Sequence, residues 1–262
     1  VCTGGPGVVK AVLSSGKKAI GAGAGNPPVI VDETADVKKA GKDIIDGCSF
    51  DNNLPGIAEK EVFVFRNVAD ELIASMQANG AYKITAEQAN KLANVVLVDS
   101  KNPKTGIVKK TISRVCVGRD AAVLLEKIGV RVGNEVRCII CETNFDHPFV
   151  QHELMMPILP IIRCQTFEQA VDMAVKAEHG NRHSAHMHSK NVDNLTRFAR
   201  AVETTIFVKN GQPVNFYLCK ATFRTPAMSF HAKTGESAIP ECLQRIWEQG
   251  DYRMGWLLSC RP

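Results

Sequence analysis

The stretch from Ser49 to Glu61 reads Ser-Phe-Asp-Asn-Asn-Leu-Pro-Gly-Ile-Ala-Glu-Lys-Glu. Asn52 and Asn53 bring two amides next to each other just before Pro55 and Gly56. An amide side chain or a turn N–H in such a place can stabilise an oxyanion; the same residues also suit an Asn-rich turn. Covalent chemistry would need a nucleophile at one fixed position, and Gly56 has no side chain. Cys48 lies upstream, at or just past a predicted helix end, and reads as a buried structural cysteine. Further along, Glu153 in His-Glu-Leu-Met-Met-Pro carries a carboxylate able to accept two hydroxyl hydrogen bonds. Gly4, Gly5 and Gly7 open a predicted helix, whose N-terminus favours an anion. That run, Thr-Gly-Gly-Pro-Gly, is not a G-x-G-x-x-G fingerprint.

Two clusters suggest metal chemistry at first sight. Cys138 and Cys141 form a C-x-x-C, a spacing used by zinc sites. Their context, Arg-Cys-Ile-Ile-Cys-Glu, is an apolar strand-like run with no second C-x-x-C, so buried free thiols are expected. His179, His183, His186 and His188 crowd one segment, and on a strand His186 and His188 would share a face. No metal is expected at either cluster.

These residues must be positioned by regular elements. Val8–Leu13, 35–47, 69–77, 85–92, 119–128, 166–178 and 192–202 have helical spacing. Asp36 is a candidate N-cap, and Thr85 with Gln88 a capping box. Short apolar runs at 29–31, 61–65, 137–141, 159–163 and 205–208 read as strands, and 99–110 as a polar loop. Strands alternating with helices predict an α/β fold with a largely parallel sheet. Residues 212–262 show little periodicity.

Composition narrows the class. At 45% hydrophobic over 262 residues, the chain can bury a substantial core. A net charge of +5 with no basic block argues against nucleic acid as partner, although a basic surface attracts anionic cofactors. Nine cysteines, an odd number in a chain that is not small, argue against a secreted disulfide framework. No signal peptide or membrane-length apolar run is expected, and the chain reads as cytoplasmic.

Four stretches together resemble the CoA-acylating aldehyde dehydrogenases of the ethanolamine- and propanediol-utilisation type. They are residues 3–10, 21–29 (Gly-Ala-Gly-Ala-Gly-Asn-Pro-Pro-Val), 50–61 and 152–157. The resemblance runs to about Gly211 and is collinear with the second half of a family member. It implies an aldehyde dehydrogenase-like catalytic domain over 33–208, a remnant of the Rossmann-type cofactor domain over 1–32, and a divergent tail over 209–262. The abrupt loss of resemblance after Gly211 suggests a frameshifted or recombined end.

What the resemblance implies is NAD-dependent oxidation of a short aldehyde to an acyl-CoA, with coenzyme A as co-substrate. Gly56 occupies the position of the family's nucleophilic cysteine, flanked by Asn52 and Asn53. Gly4 and Gly5 would lie near the cofactor. Gly21 stands where hydrolytic relatives place a water-activating Glu, and Glu153 would take the nicotinamide ribose hydroxyls. Relatives are often cargo of bacterial microcompartments, through an N-terminal peptide this sequence does not include. Without the nucleophile and most of the dinucleotide site, the chain is expected to be inactive alone. The expected assemblies are a homo-oligomer or co-assembly with an intact homologue, which would make it a non-catalytic scaffold fragment.

Overall fold

The computed structural model describes residues 2–3, 6–19, 21–101 and 105–212, and statements of absence below refer to these. A small unit comes first: β1 (Cys2–Thr3), α1 (Pro6–Leu13) and β2 (Gly21–Ala22), with the two strands parallel. The main body then runs β3 (Pro28–Val31), α2 (Val37–Cys48), β4 (Glu61–Phe65), α3 (Ala69–Ala78), β5 (Ala81–Lys83) and α4 (Ala86–Val96). It continues with β6 (Leu97–Lys101), β7 (Val108–Ile112), α5 (Ala121–Glu126), β8 (Cys138–Glu142), α6 (Pro148–Gln151) and β9 (Ile158–Cys164). It closes with α7 (Phe167–Ala177), β10 (Ser184–His188), α8 (Val192–Val202) and β11 (Ile206–Lys209).

Seven strands form one parallel sheet in the order β11-β10-β3-β4-β9-β8-β5. The central strands are buried along their length, as a parallel sheet covered on both faces requires. Val29, Val31, Val62 and Val64 pack under Ala40 and Ile44 of α2 and Leu72 and Met76 of α3. Ile30, Phe63, Ala185 and Met187 point the other way, onto Ala170 and Ala174 of α7 and Phe198 of α8. This alternation is the strand period of two. A third cluster, built by α4, α5 and Phe149, covers Ile139, Cys141 and Ile158 at the β8 end.

The helix caps form as the sequence suggests. Asp36 accepts from Lys39 N, and Thr85 and Gln88 make both bonds of a capping box. Two readings change. The polar segment 99–110 is not a simple loop: β6 and β7 pair as an antiparallel hairpin, whose largely exposed residues lack the apolar alternation that would announce a strand. Val29–Val31, grouped on sequence with the first segment, sits in the middle of the main sheet between β10 and β4.

Asp32 ties the carboxyl end of β3 to the β10–α8 turn. Its buried carboxylate accepts from Thr34 N (2.9 Å), Thr34 Oγ1 (2.6 Å), Ser189 Oγ (2.6 Å) and Asn194 Nδ2 (3.2 Å). Asp32→Ala would strand these donors and is expected to cost about 3 kcal/mol. Urea unfolding at unchanged m-value checks this; a loss near zero would show the donors find other partners.

Candidate active site

In a parallel sheet the segments entering each strand collect at one edge. Here residues 24–27 lead into β3, 53–60 into β4, 153–157 into β9 and 181–183 into β10, and these four strands are adjacent. The sequence-selected residues around 52–56 and 153 are therefore gathered at the amino-terminal edge of the sheet centre. Backbone bonds lace the segments together: Lys60 N donates to Pro27 O at 3.0 Å.

Between α2 and β4 the chain makes an unusual turn. Asp51, Asn52 and Asn53 all have positive φ, at 46°, 51° and 64°. Asn and Asp visit this left-handed region more readily than other side-chain-bearing residues, but each still costs energy. Side chains hold the turn. Asn52 Nδ2 donates to Gly118 O (3.0 Å) and Asp120 Oδ1 (2.7 Å). Asn53 Nδ2 donates to Cys48 O (3.0 Å), Glu59 O (2.9 Å) and Cys48 Sγ (3.2 Å). Lys60 Nζ donates to Asn53 O (2.8 Å), Asn53 Oδ1 and Pro55 O (3.3 Å). The loop into Gly56 is thus closed from both ends by buried polar bonds.

The charges below the loop are unusual too. Glu59, Lys60 and Glu61 are consecutive and at most 3% exposed. Burial pushes both carboxyls well above the usual carboxylate range, and their oxygens have no hydrogen-bond partner. Burial also lowers the Lys60 ammonium, against the pull of Glu153, Cys48, Glu61 and Glu59. Glu153 is raised by burial, while Lys60 and the Gly25 amide favour its ionised form. An ionised carboxylate held this way suits hydroxyl donors. Glu59 also explains Gly47 in α2, because a Cβ there would collide with the Glu59 carboxylate.

Not every sequence candidate meets its expected role. Gly56 is half-buried in the loop, and Asn52 and Asn53 stand beside it, but the amide N–H groups of both are engaged in holding the turn. Gly21 is buried under α1, where a Cβ would come within 2.8 Å of Val9 Cγ1. Gly4 and Gly5 lie outside the described residues, as does the tail from residue 213. Cys48 is wholly buried at the end of α2, with its Sγ 3.5 Å from Cys138 Sγ. Cys138 and Cys141 face opposite sides of β8, and burial pushes Cys141 up to about 12. His186 and His188 are buried on β10. Burial, with His188 beside it, lowers His186 to about 3; burial lowers His188 to about 4. Among the described residues no group of three metal-capable side chains is close enough to hold an ion. No described helix is long and apolar enough to cross a membrane.

Two residues that sequence reasoning passed over matter most. Lys60, which the sequence analysis did not single out, is buried. Asn26, buried, clamps α6 to α7 through Val150 O (3.0 Å) and Ala177 O (2.9 Å). For the loop, Asn53→Ala is expected to cost about 2–4 kcal/mol, combining lost buried bonds with a left-handed Cβ. Asn53→Gly should recover about 1 kcal/mol of that, because glycine accepts positive φ. Equal unfolding midpoints for the two variants would refute the contribution of backbone strain.

The aldehyde dehydrogenase family profile matches residues 2–223. The acetylating acetaldehyde dehydrogenase of Escherichia coli (strain K12) is 47% identical over 214 residues, covering 80% of this chain and 44% of the relative. The CoA-propanoylating propanal dehydrogenase of Citrobacter freundii is 48% identical over 210 residues, covering 80% and 43%. A propionaldehyde dehydrogenase structure from the Clostridium phytofermentans fucose utilisation bacterial microcompartment superposes with a TM-score of 0.80 at 52% identity, covering 89% of this chain and 52% of that one. The Rhodopseudomonas palustris propionaldehyde dehydrogenase, solved with bound propionyl-CoA, also gives 0.80, at 47% identity, covering 89% and 50%. The chain spans less than half the length of these curated relatives. With the family profile spanning most of its length, the chain belongs to the aldehyde dehydrogenase family, and the two curated relatives named here are CoA-acylating.

Proposed function

We propose that this chain is the catalytic-domain portion of a CoA-acylating aldehyde dehydrogenase that converts a short aldehyde, acetaldehyde or propionaldehyde, to its acyl-CoA. The observation that carries the reading is the loop at 53–60, a buried polar network built around a position that in this sequence is Gly56. In this reading residue 56 is the place of a cysteine whose thiolate attacks the aldehyde carbonyl. A thioester at that sulfur is then taken by the thiol of CoA. NAD, when bound, accepts the hydride. Glu153 accepts its ribose hydroxyls, and the half-buried carboxylate beside Lys60 fits that task. A propionyl-CoA complex and an NADP+ complex are known for two structural relatives. A structural relative from a bacterial microcompartment supports the reading of a cytoplasmic protein that works within such a compartment; a homo-oligomer is part of the same proposal.

Gly56 favours a second reading of the chain as it stands: a non-catalytic fragment that co-assembles with intact subunits. The purified chain should then form no NADH from propionaldehyde and CoA. Co-purification with an intact homologue supports co-assembly, and its failure removes that reading.

The catalytic reading is tested by Gly56→Cys. Thioesterification can be run backwards without a nicotinamide: the new thiolate attacks propionyl-CoA, an S–acyl bond forms as the bond from the acyl carbon to the CoA sulfur breaks, and CoA leaves as its thiolate, which takes a proton from water. Peptide mass spectrometry should find propionylation at residue 56 at least tenfold faster than at any other cysteine of the chain. Acylation no faster than at the other cysteines would reject position 56 as the nucleophile's place.

A further inference from the structure

Among the described residues Lys60 is the only buried lysine. Taking an ammonium out of water costs several kcal/mol unless its donors and charge are matched. Its three protons find three acceptors, and all belong to the loop: Asn53 O, Asn53 Oδ1 and Pro55 O. No carboxylate makes an ion pair with it among the described residues, although Glu59, Glu61 and Glu153 are near enough to act on its charge. A lysine kept for a structural ion pair would touch a carboxylate. This one touches the backbone one peptide bond before residue 56. Its own N–H donates to Pro27 O, in the segment that also carries the Gly25 amide beside Glu153.

We propose that Lys60 is the positioning residue of this site. Its ammonium pins the carbonyls of Asn53 and Pro55, which sets the path of the chain into residue 56, and it presents a positive charge to a thiolate there and to the carboxylate of Glu153. The proposal rests on the reading of residue 56 as the nucleophile's place. It adds to that reading a source of activation within the catalytic domain itself. Burial disfavours the ionised forms of the two neighbouring glutamates, and it disfavours the ammonium too, which its three oxygen acceptors and the nearby carboxyls help to hold. One cation thereby serves two tasks: it favours the attacking form of a thiol, and it opposes the burial that disfavours the ionised form of Glu153.

The test uses the full chain carrying Gly56→Cys and reads the pH dependence of alkylation of Cys at that position by iodoacetamide. In that reaction the thiolate sulfur forms a bond to carbon and iodide leaves, so the rate follows the thiolate fraction. Modification is assigned to residue 56 by fragment-ion sequencing of its peptide, which distinguishes it from the buried Cys48 eight residues upstream. The expected midpoint lies about one unit or more below the free-thiol value of roughly 8.5. Lys60→Met in the same chain should raise it by about one unit, which slows alkylation near neutral pH about tenfold. A midpoint at or above the free-thiol value with Lys60 in place overturns the proposal, and so does a folded Lys60→Met chain with an unmoved midpoint. Should Lys60→Met fail to fold by circular dichroism, the measurement with Lys60 intact decides alone. Alkylation needs neither CoA nor nicotinamide. A low midpoint without acyl transfer from propionyl-CoA would therefore reject the proposed reaction while leaving the action of Lys60 on residue 56 in place.

Discussion

Seven strands running in one direction impose the geometry on which everything else here depends. A parallel sheet needs a crossover between successive strands, and each crossover returns the chain to the same edge. The segments that enter β10, β3, β4 and β9 are therefore neighbours in space, though they come from four distant parts of the sequence. The loop before β4 and Glu153 before β9 meet for this reason and not because of any local signal. Open α/β sheets commonly bind ligands beyond the carboxyl ends of their strands. This candidate site uses the opposite edge, where the return segments are long enough to fold into turns of their own.

The second constraint is burial of charge. Glu59, Lys60 and Glu61 enter the sheet edge together, and each would prefer water. The arrangement resolves the conflict unequally. The two carboxyls are pushed toward their neutral forms, whereas the ammonium finds three oxygen acceptors. The left-handed run at 51–53 fits the same logic. Its backbone cost is offset by Asn52 and Asn53, whose amides satisfy carbonyls that the turn would otherwise leave buried and alone. Packing glycines complete the site's frame: Gly21 admits α1, and Gly47 leaves room for the Glu59 carboxylate.

Much of the fold was legible residue by residue. The β3, β4, β8 and β9 runs are apolar and β-branched, and α2, α7 and α8 keep one apolar face, so period and composition agreed. Asp36 and Thr85 with Gln88 announced their helix starts because caps are local chemistry. The hairpin β6–β7 was hidden because its exposed strands carry Lys, Asp, Ser and Thr in place of an alternating apolar pattern. β5, three residues long, is too short to show a period.

The sequence by itself determined the order of the elements, the family resemblance carried by residues 50–61 and 152–157, and the absence of a thiol at residue 56. These are properties of residue identity and spacing along one chain. The tertiary structure decided which way the side chains are used. It turned the Asn52 and Asn53 amides into braces of the turn and set Cys138 and Cys141 on opposite faces of β8. It also made Lys60, ordinary as a letter between two glutamates, the buried cation of the site. Burial and hydrogen-bond partnership are relations among residues far apart in sequence, and only the closing of the sheet edge creates them.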